Sequence, residues 1–142
     1  MTNKKQSKKG TIIVAIIVFL LTLYASKSLF KSNLESELKN AAMELNKQTP
    51  IKIDQFTRLD SVTTIGETNF MYYYTLTEIK KSEINLDTIN KYIRPTIIEN
   101  VKKNPDLKTY RDNHITLDYR YYDKNGIYTT EISVTPELYK TE

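Results

Sequence analysis

The chain has 142 residues, with 21 Lys and Arg against 17 Asp and Glu, one histidine and no cysteine. That length bounds it to one small folded domain, and the missing cysteines exclude disulfide staples and thiolate metal sites. The formal charge of +4 is unevenly placed: residues 1–31 carry six lysines and no acid, while 32–142 carry fifteen cations against seventeen acids. The folded part is therefore slightly acidic, and a basic face for nucleic acid is not expected.

The first element is apolar. Residues 12–24 contain one polar side chain, Thr22, and no charge stands between Gly10 and Ser26. A helix apolar on every face would need a large protein to bury it, which leaves lipid. Residues 1–10 then predict a cytoplasmic basic tail and 11–30 a transmembrane anchor, with Lys27 reaching the interface on its stem. The lysines before the run, Lys4, Lys5, Lys8 and Lys9, put the N-terminus inside. The expectation is a single-pass protein of a bacterial cytoplasmic membrane, touching lipid through 11–30, with its C-terminal domain outside. A cleaved signal is the alternative, but "SKS" (Ser26 to Ser28) is a poor cleavage site. Pilin-type processing is another: Gly10 and Thr11 fit its basic leader, although Ala15 stands where such precursors carry glutamate.

Residues 31–48 predict an amphipathic helix. Leu34, Leu38, Ala41, Ala42 and Leu45 recur at helical spacing, Ser32 or Asn33 can cap the start, and Pro50 stops it. Residues 49–142 predict an extracytoplasmic α+β domain. "IKIDQFTRLDSVTTI" and "FMYYYTLTEI" flank the turn "GETN" and read as a hairpin, with Phe70, Tyr72, Tyr74 and Leu76 on one face. A second helix follows, capped by Asp87, with Ile89, Ile93, Ile97 and Val101 in one stripe and a kink at Pro95. Ile115, Leu117, Tyr119 and Tyr121 then alternate with Thr116, Asp118, Arg120 and Tyr122. "DKNG" turns the chain, and a partner strand ends near Val134 before a helical turn at Pro136. The expected fold is α-β-β-α-β-β: a four-stranded antiparallel sheet with both helices on one face.

Three segments, "ELNKQTPIKIDQFTRLDSV", "RDNHITLDYRYYDKNG" and "ISVTPELY", together resemble a group of small bacterial membrane-anchored or exported proteins of uncharacterised function. These share a TRLD motif, an RDN motif, a Y-x-D-x-x-G hairpin and a terminal VTP; the likeness covers residues 44–139. Members often carry cysteine near the position of Thr49, so a disulfide there is excluded in this chain. The resemblance implies no activity.

Chemistry-bearing constellations are sparse. His114 alone, without cysteine, makes no typical zinc site. Asp60, Asp112, Asp118 and Asp123 are available as carboxylates, but nothing in their spacing pairs them for acid–base work. "DKNG" has the outline of a calcium loop without its later glutamate, and hairpin chemistry explains it. No catalytic residue, cofactor or metal is expected. Arg58 with Asp60, and Arg111 with Asp112, are candidates for structural ion pairs bridging the two halves. Tyr73, Arg120 and Tyr122 fall on the face away from the helices and are the candidate partner-binding residues, because exposed tyrosine and arginine mark protein interfaces. The functional expectation is a binding or assembly module with a protein partner. The alternatives are a pilin-like or secretion and surface-assembly subunit, and a small exported enzyme using a cleft at Arg58, Asp112 and His114.

Overall fold

The structure, a computed structural model, describes residues 33–140. The expected basic tail, the anchor at 11–30 and the pilin-like leader lie outside the described residues. Among the described residues no helix is long and apolar enough to cross a membrane.

Helix α1 (Leu34–Asn46) begins where Asn33 accepts the Ser36 N–H on its side-chain oxygen at 3.2 Å. Glu35 and Glu37 occupy its first turn, where the helix dipole favours negative charge. Leu38, Ala41, Ala42 and Leu45 form its buried stripe, and the two alanines let the helix approach strand β2 closely.

The sheet corrects the expected topology. It has five strands in the order β1 (Ile51–Lys52), β2 (Thr57–Ile65), β3 (Asn69–Leu76), β4 (Thr116–Tyr122) and β5 (Tyr128–Val134). β3 and β4 are parallel, and the other pairings are antiparallel. The fold is α+β with a five-stranded mixed sheet, not a four-stranded antiparallel one. The reason lies in the connection. The chain between β3 and β4 is long and helical, and such a crossover returns it to the end of the sheet from which β3 started. Phe70 consequently lies beside Leu117 and Thr75 beside Tyr122, both strands running the same way. The fifth strand, β1, is a two-residue edge piece opposite Arg58 and Leu59.

The crossover contains α2 (Leu86–Thr88), a π-helical turn (Ile89–Ile93) and α3 (Arg94–Lys103). Asn85, not the expected Asp87, caps α2 by accepting the Thr88 N–H at 3.0 Å. Pro95 has no N–H to continue the ladder, and the widened turn directly precedes it. Ile97 and Val101 of α3 are buried, while Ile89 and Ile93 are half-buried. A short helix, α4 (Lys108–Asp112), leads into β4, and α5 (Pro136–Tyr139) closes the domain against α3.

One core lies between the helices and one face of the sheet. Leu38, Leu45, Ile97 and Val101 meet Leu59, Val62, Phe70, Leu117, Ile132 and Val134 there. Leu59 and Val62 are three residues apart and would point to opposite faces of a regular strand. A bulge at Asp60 restores the parity: Leu59 stands opposite Tyr74, but Ser61 stands opposite Tyr73. Tyrosine fills the middle of this core. Tyr72 stacks on Tyr119 with ring centroids 5.3 Å apart, and Tyr74 on Tyr121 at 5.1 Å. Burial pushes the phenols of Tyr72, Tyr74, Tyr119 and Tyr121 well above their ordinary range.

Candidate binding face of the sheet

Strand alternation sends Arg58, Ser61, Tyr73, Thr75, Asp118, Arg120, Tyr122, Tyr128, Glu131 and Ser133 to the face opposite the helices. Registers across three strands bring Tyr73, Arg120 and Glu131 into one row. Tyr122 lies next to that row, opposite Tyr128 on β5. The Arg120 guanidinium sits 5.8 Å from the centre of the Tyr73 ring, and its Nε donates to the Glu131 carboxylate at 2.5 Å. The hydrogen bond to Glu131 is the largest influence holding the guanidinium in its charged form. Tyr73 and Tyr122 stack with centroids 6.5 Å apart, and Tyr128 meets Tyr122 edge-on at 6.2 Å. Tyr128, which the sequence reading did not single out, is 47% exposed and extends the cluster to the β5 edge. Its signal was available: it lies in the second strand of a hairpin whose first strand carries Tyr122.

Polar links tie the rest of this face together. Asp118 is buried in it and accepts from Asn69 Nδ2 at 3.1 Å and from Ser133 Oγ at 2.5 Å, joining β3, β4 and β5. At the far side Asp60 accepts from Arg58 Nε and from Thr75 Oγ1, each at 2.5 Å. Arg58 and Asp60 thus pair within β2 and hold β2 to β3. Arg111 and Asp112 do not pair with each other. Arg111 Nη1 donates to the Val101 and Asn104 carbonyls, both at 2.7 Å, closing the C-terminus of α3. Asp112 pairs with Lys108 one turn away.

The residues of the enzyme alternative are dispersed. Arg58 is level with Thr75 and Tyr122, whereas His114 precedes Thr116, which is level with Asn69. Six residues of strand separate the two levels, about 20 Å at 3.3 Å per residue. His114 is an exposed turn residue with φ 56°, its N–H bonded to the Arg111 carbonyl at 3.1 Å. The Asp123 carboxylate accepts three backbone N–H groups, from Asn125 at 2.8 Å, Ile127 at 2.9 Å and Lys81 at 2.9 Å. Those bonds hold its pKa below the usual carboxylate value, and they occupy it in shaping the hairpin turn. No group of three or more His, Cys, Asp or Glu side chains suited to a metal occurs among the described residues.

The model of a family described as "Domain of unknown function (DUF8479)" matches residues 33–129. The chain belongs to that family. The match spans α1 to the start of β5, so the DUF8479 domain and the described fold nearly coincide. No curated protein sequence matches the chain. Three solved structures share its fold. One is a Pseudomonas aeruginosa protein described as secreted, with TM-score 0.63 and 13% identity over 75% of this chain and 93% of that one. The second is a pilotin of the Vibrio vulnificus type 2 secretion system, with TM-score 0.59 and 12% identity over 77% and 94%. The third is a type II secretion system pilotin from Vibrio cholerae, with TM-score 0.55 and 15% identity over 74% and 91%. At these identities the likeness is one of fold.

The expected localisation is corrected by this comparison. The solved structures that share the DUF8479 fold are described as a secreted protein and as two secretion-system pilotins, and none of the three is described as a single-pass protein of the cytoplasmic membrane. The apolar run suggested the anchor through its hydropathy alone, and hydropathy does not identify the fold attached to it.

Proposed function

We propose that the DUF8479 domain is a non-catalytic accessory module of a secretion or surface-assembly machine. We further propose that it holds a protein partner on the open face around Tyr73, Arg120 and Tyr122. The observation that carries this reading is the convergence of those three side chains, from two strands, into one aromatic and cationic cluster. Tyrosine and arginine are enriched at interfaces and among the few residues that dominate their energetics. Both arginines of the face already have carboxylate partners, Arg58 with Asp60 and Arg120 with Glu131, so a partner meets a positioned, nearly neutral surface. The shared fold with two pilotins supports the choice of process over a generic binding role.

A photocrosslinking residue placed at 73 or 122 in the producing cell tests the proposal. A discrete adduct, identified by mass spectrometry as a component of a secretion or surface-assembly system, is expected from these positions. The same residue at Lys39, on the exposed side of α1, should give none. Equal adducts from all three positions, or none from 73 and 122, would sink the assignment of this face.

A further inference from the structure

The two edges of the sheet are built differently. Beyond β2 stand β1, opposite Arg58 and Leu59, and the side-chain amide of Asn46, bonded to both backbone groups of Val62. Beyond β5 no strand stands among the described residues. β5 runs from Tyr128 to Val134 and holds no lysine or proline, the residues that most often blunt an edge. Its one charged side chain, Glu131, is matched by Arg120. Among the described residues its outer backbone groups have one partner: Arg94 Nη2 of α3 reaches the Glu131 carbonyl at 3.5 Å, the limit of a hydrogen bond. That carbonyl points away from β4, and the alternation of an antiparallel ladder turns the N–H and carbonyl of Ser133 outward with it.

Apolar side chains bracket the same edge. Ile127 and Tyr128 are exposed at its start, and Leu138 is exposed in α5, the helical turn that follows its end. Exposed apolar groups at both ends of an unpaired strand mark a contact surface.

We propose that β5 pairs antiparallel with β5 of a second copy of the chain, across a twofold axis at Ile132, joining two five-stranded sheets into one. Three features select a second copy as the occupant. An antiparallel pair sets the start of each β5 against the end of the other. Ile127 and Tyr128 of one copy then meet the α5 end of the other, with its Leu138, so the edge complements itself. With the axis at Ile132, Glu131 faces Ser133 of the second copy, whereas an axis at Glu131 would set two carboxylates against each other. The capped edge of β2 stops further growth, so the pairing closes at two copies. Arg94 swings off the Glu131 carbonyl, and the incoming N–H takes its place. The inference does not depend on the partner proposed for the open face.

The chain has no cysteine, so introduced ones report alone. In the proposed register position 131 of one copy faces 133 of the other with Cα atoms about 5.5 Å apart, within disulfide reach. Two copies of position 131 stand diagonally and out of reach, as do two of position 133. Full-length Glu131→Cys and Ser133→Cys chains with different tags are made together in the producing cell and oxidised. A mixed-tag disulfide dimer is expected, several-fold above the yield of either variant alone or of Thr63→Cys on β2. Light scattering of the purified full chain in mild detergent should give the mass of two chains. Glu131→Pro, which removes an outward N–H and leaves the bonds to β4, should halve that mass and keep the parent's circular dichroism. Ile127→Lys/Leu138→Lys, which changes exposed side chains only, should shift the mass the same way should the proline variant not fold. A single-chain mass for the parent overturns the proposal, as does a dimer that survives these variants. Absence of the mixed-tag dimer overturns it, and so does an equal yield from Thr63→Cys. Disulfides to other proteins with none between copies assign the edge to a foreign strand and overturn it too. Equal crosslinking by Glu131→Cys alone overturns the register.

Discussion

The side-chain amide of Asn46 pairs with both backbone groups of Val62: Asn46 Nδ2 donates to the Val62 carbonyl, and the Val62 N–H donates to Asn46 Oδ1, each at 2.8 Å. The last residue of α1 thus stands where a neighbouring strand would otherwise pair. β1 covers β2 only at Arg58 and Leu59, so the outer edge of β2 beyond the Asp60 bulge would be bare at Val62 without this amide. Unpaired strand edges recruit other chains.

Asn46→Ala should therefore act twice. Leaving the Val62 groups without their partner costs about 1–3 kcal/mol, read as a lower urea midpoint. It also bares the edge, so size-exclusion profiles should shift toward oligomers at raised concentration. Asn46→Asp keeps the acceptor and loses the donor, and it should retain the Val62 N–H bond and fall between the two. Melts and elution profiles identical to the parent would show that the edge needs no such cap.

The two faces of β4 differ in what they tolerate. Leu117 is 0% exposed and packs in the helix-covered core. Leu117→Ala should cost about 2–5 kcal/mol through lost burial and the cavity left behind. Arg120→Ala and Tyr122→Ala should stay within about 1 kcal/mol of the parent, since each leaves an open-face surface contact. Both should nevertheless reduce crosslinking from position 73. If thermal melts rank the variants the other way, the partner face is contributing to the core.

How much of this was legible beforehand differs by element. The α1 stripe and the alternation of residues 70–76 and 115–122 follow from side-chain period alone, the first run setting Tyr73 apart from Tyr72 and Tyr74 and the second placing Arg120 and Tyr122 on one face. The direction of β4 relative to β3 does not follow from period, because a pattern of two is the same read either way. The helical crossover between the hairpins was the available sign of a parallel pair, and antiparallel pairing was assumed instead. β1 was too short to show any alternation. The Asp60 bulge was hidden because "TRLDSV" reads equally as loose alternation. The Asn46–Val62 and Arg111–Val101 links join residues sixteen and ten apart through side-chain-to-backbone bonds, which leave no periodic trace.

Asp123 gives the domain an acid-sensitive turn. Three backbone N–H groups favour its charged form, so its folded pKa lies below its unfolded value of about 3.9. The stabilisation is fully present above that value and is lost as pH falls through the lower, folded one. Urea midpoints should decline in that acid range, and Asp123→Asn should flatten this decline while lowering the midpoint at neutral pH. An unchanged acid limb in the variant would assign the acid sensitivity to other carboxylates.

The tyrosine core predicts the opposite limb. Burial raises Tyr72, Tyr74, Tyr119 and Tyr121 well above the ordinary phenol value, and Tyr110 to about 12. A raised folded pKa means that the folded state keeps protons which the unfolded chain would release. Stability from these groups is whole below the unfolded value of about 10 and drains away as pH rises through the folded ones. Phenolate absorbance should therefore appear in two stages. The stacked pairs Tyr72–Tyr119 and Tyr74–Tyr121 should ionise only together with loss of the far-ultraviolet circular dichroism, because no lysine, arginine or histidine is buried among the described residues to hold a phenolate there. Tyr119→Phe should remove one phenol from the late stage and move the alkaline unfolding to higher pH, since one fewer buried group gains by ionising in the unfolded chain. A single smooth titration of all the tyrosines, with the dichroism intact, would mean that water reaches the stacked rings and that the core is looser than its packing indicates.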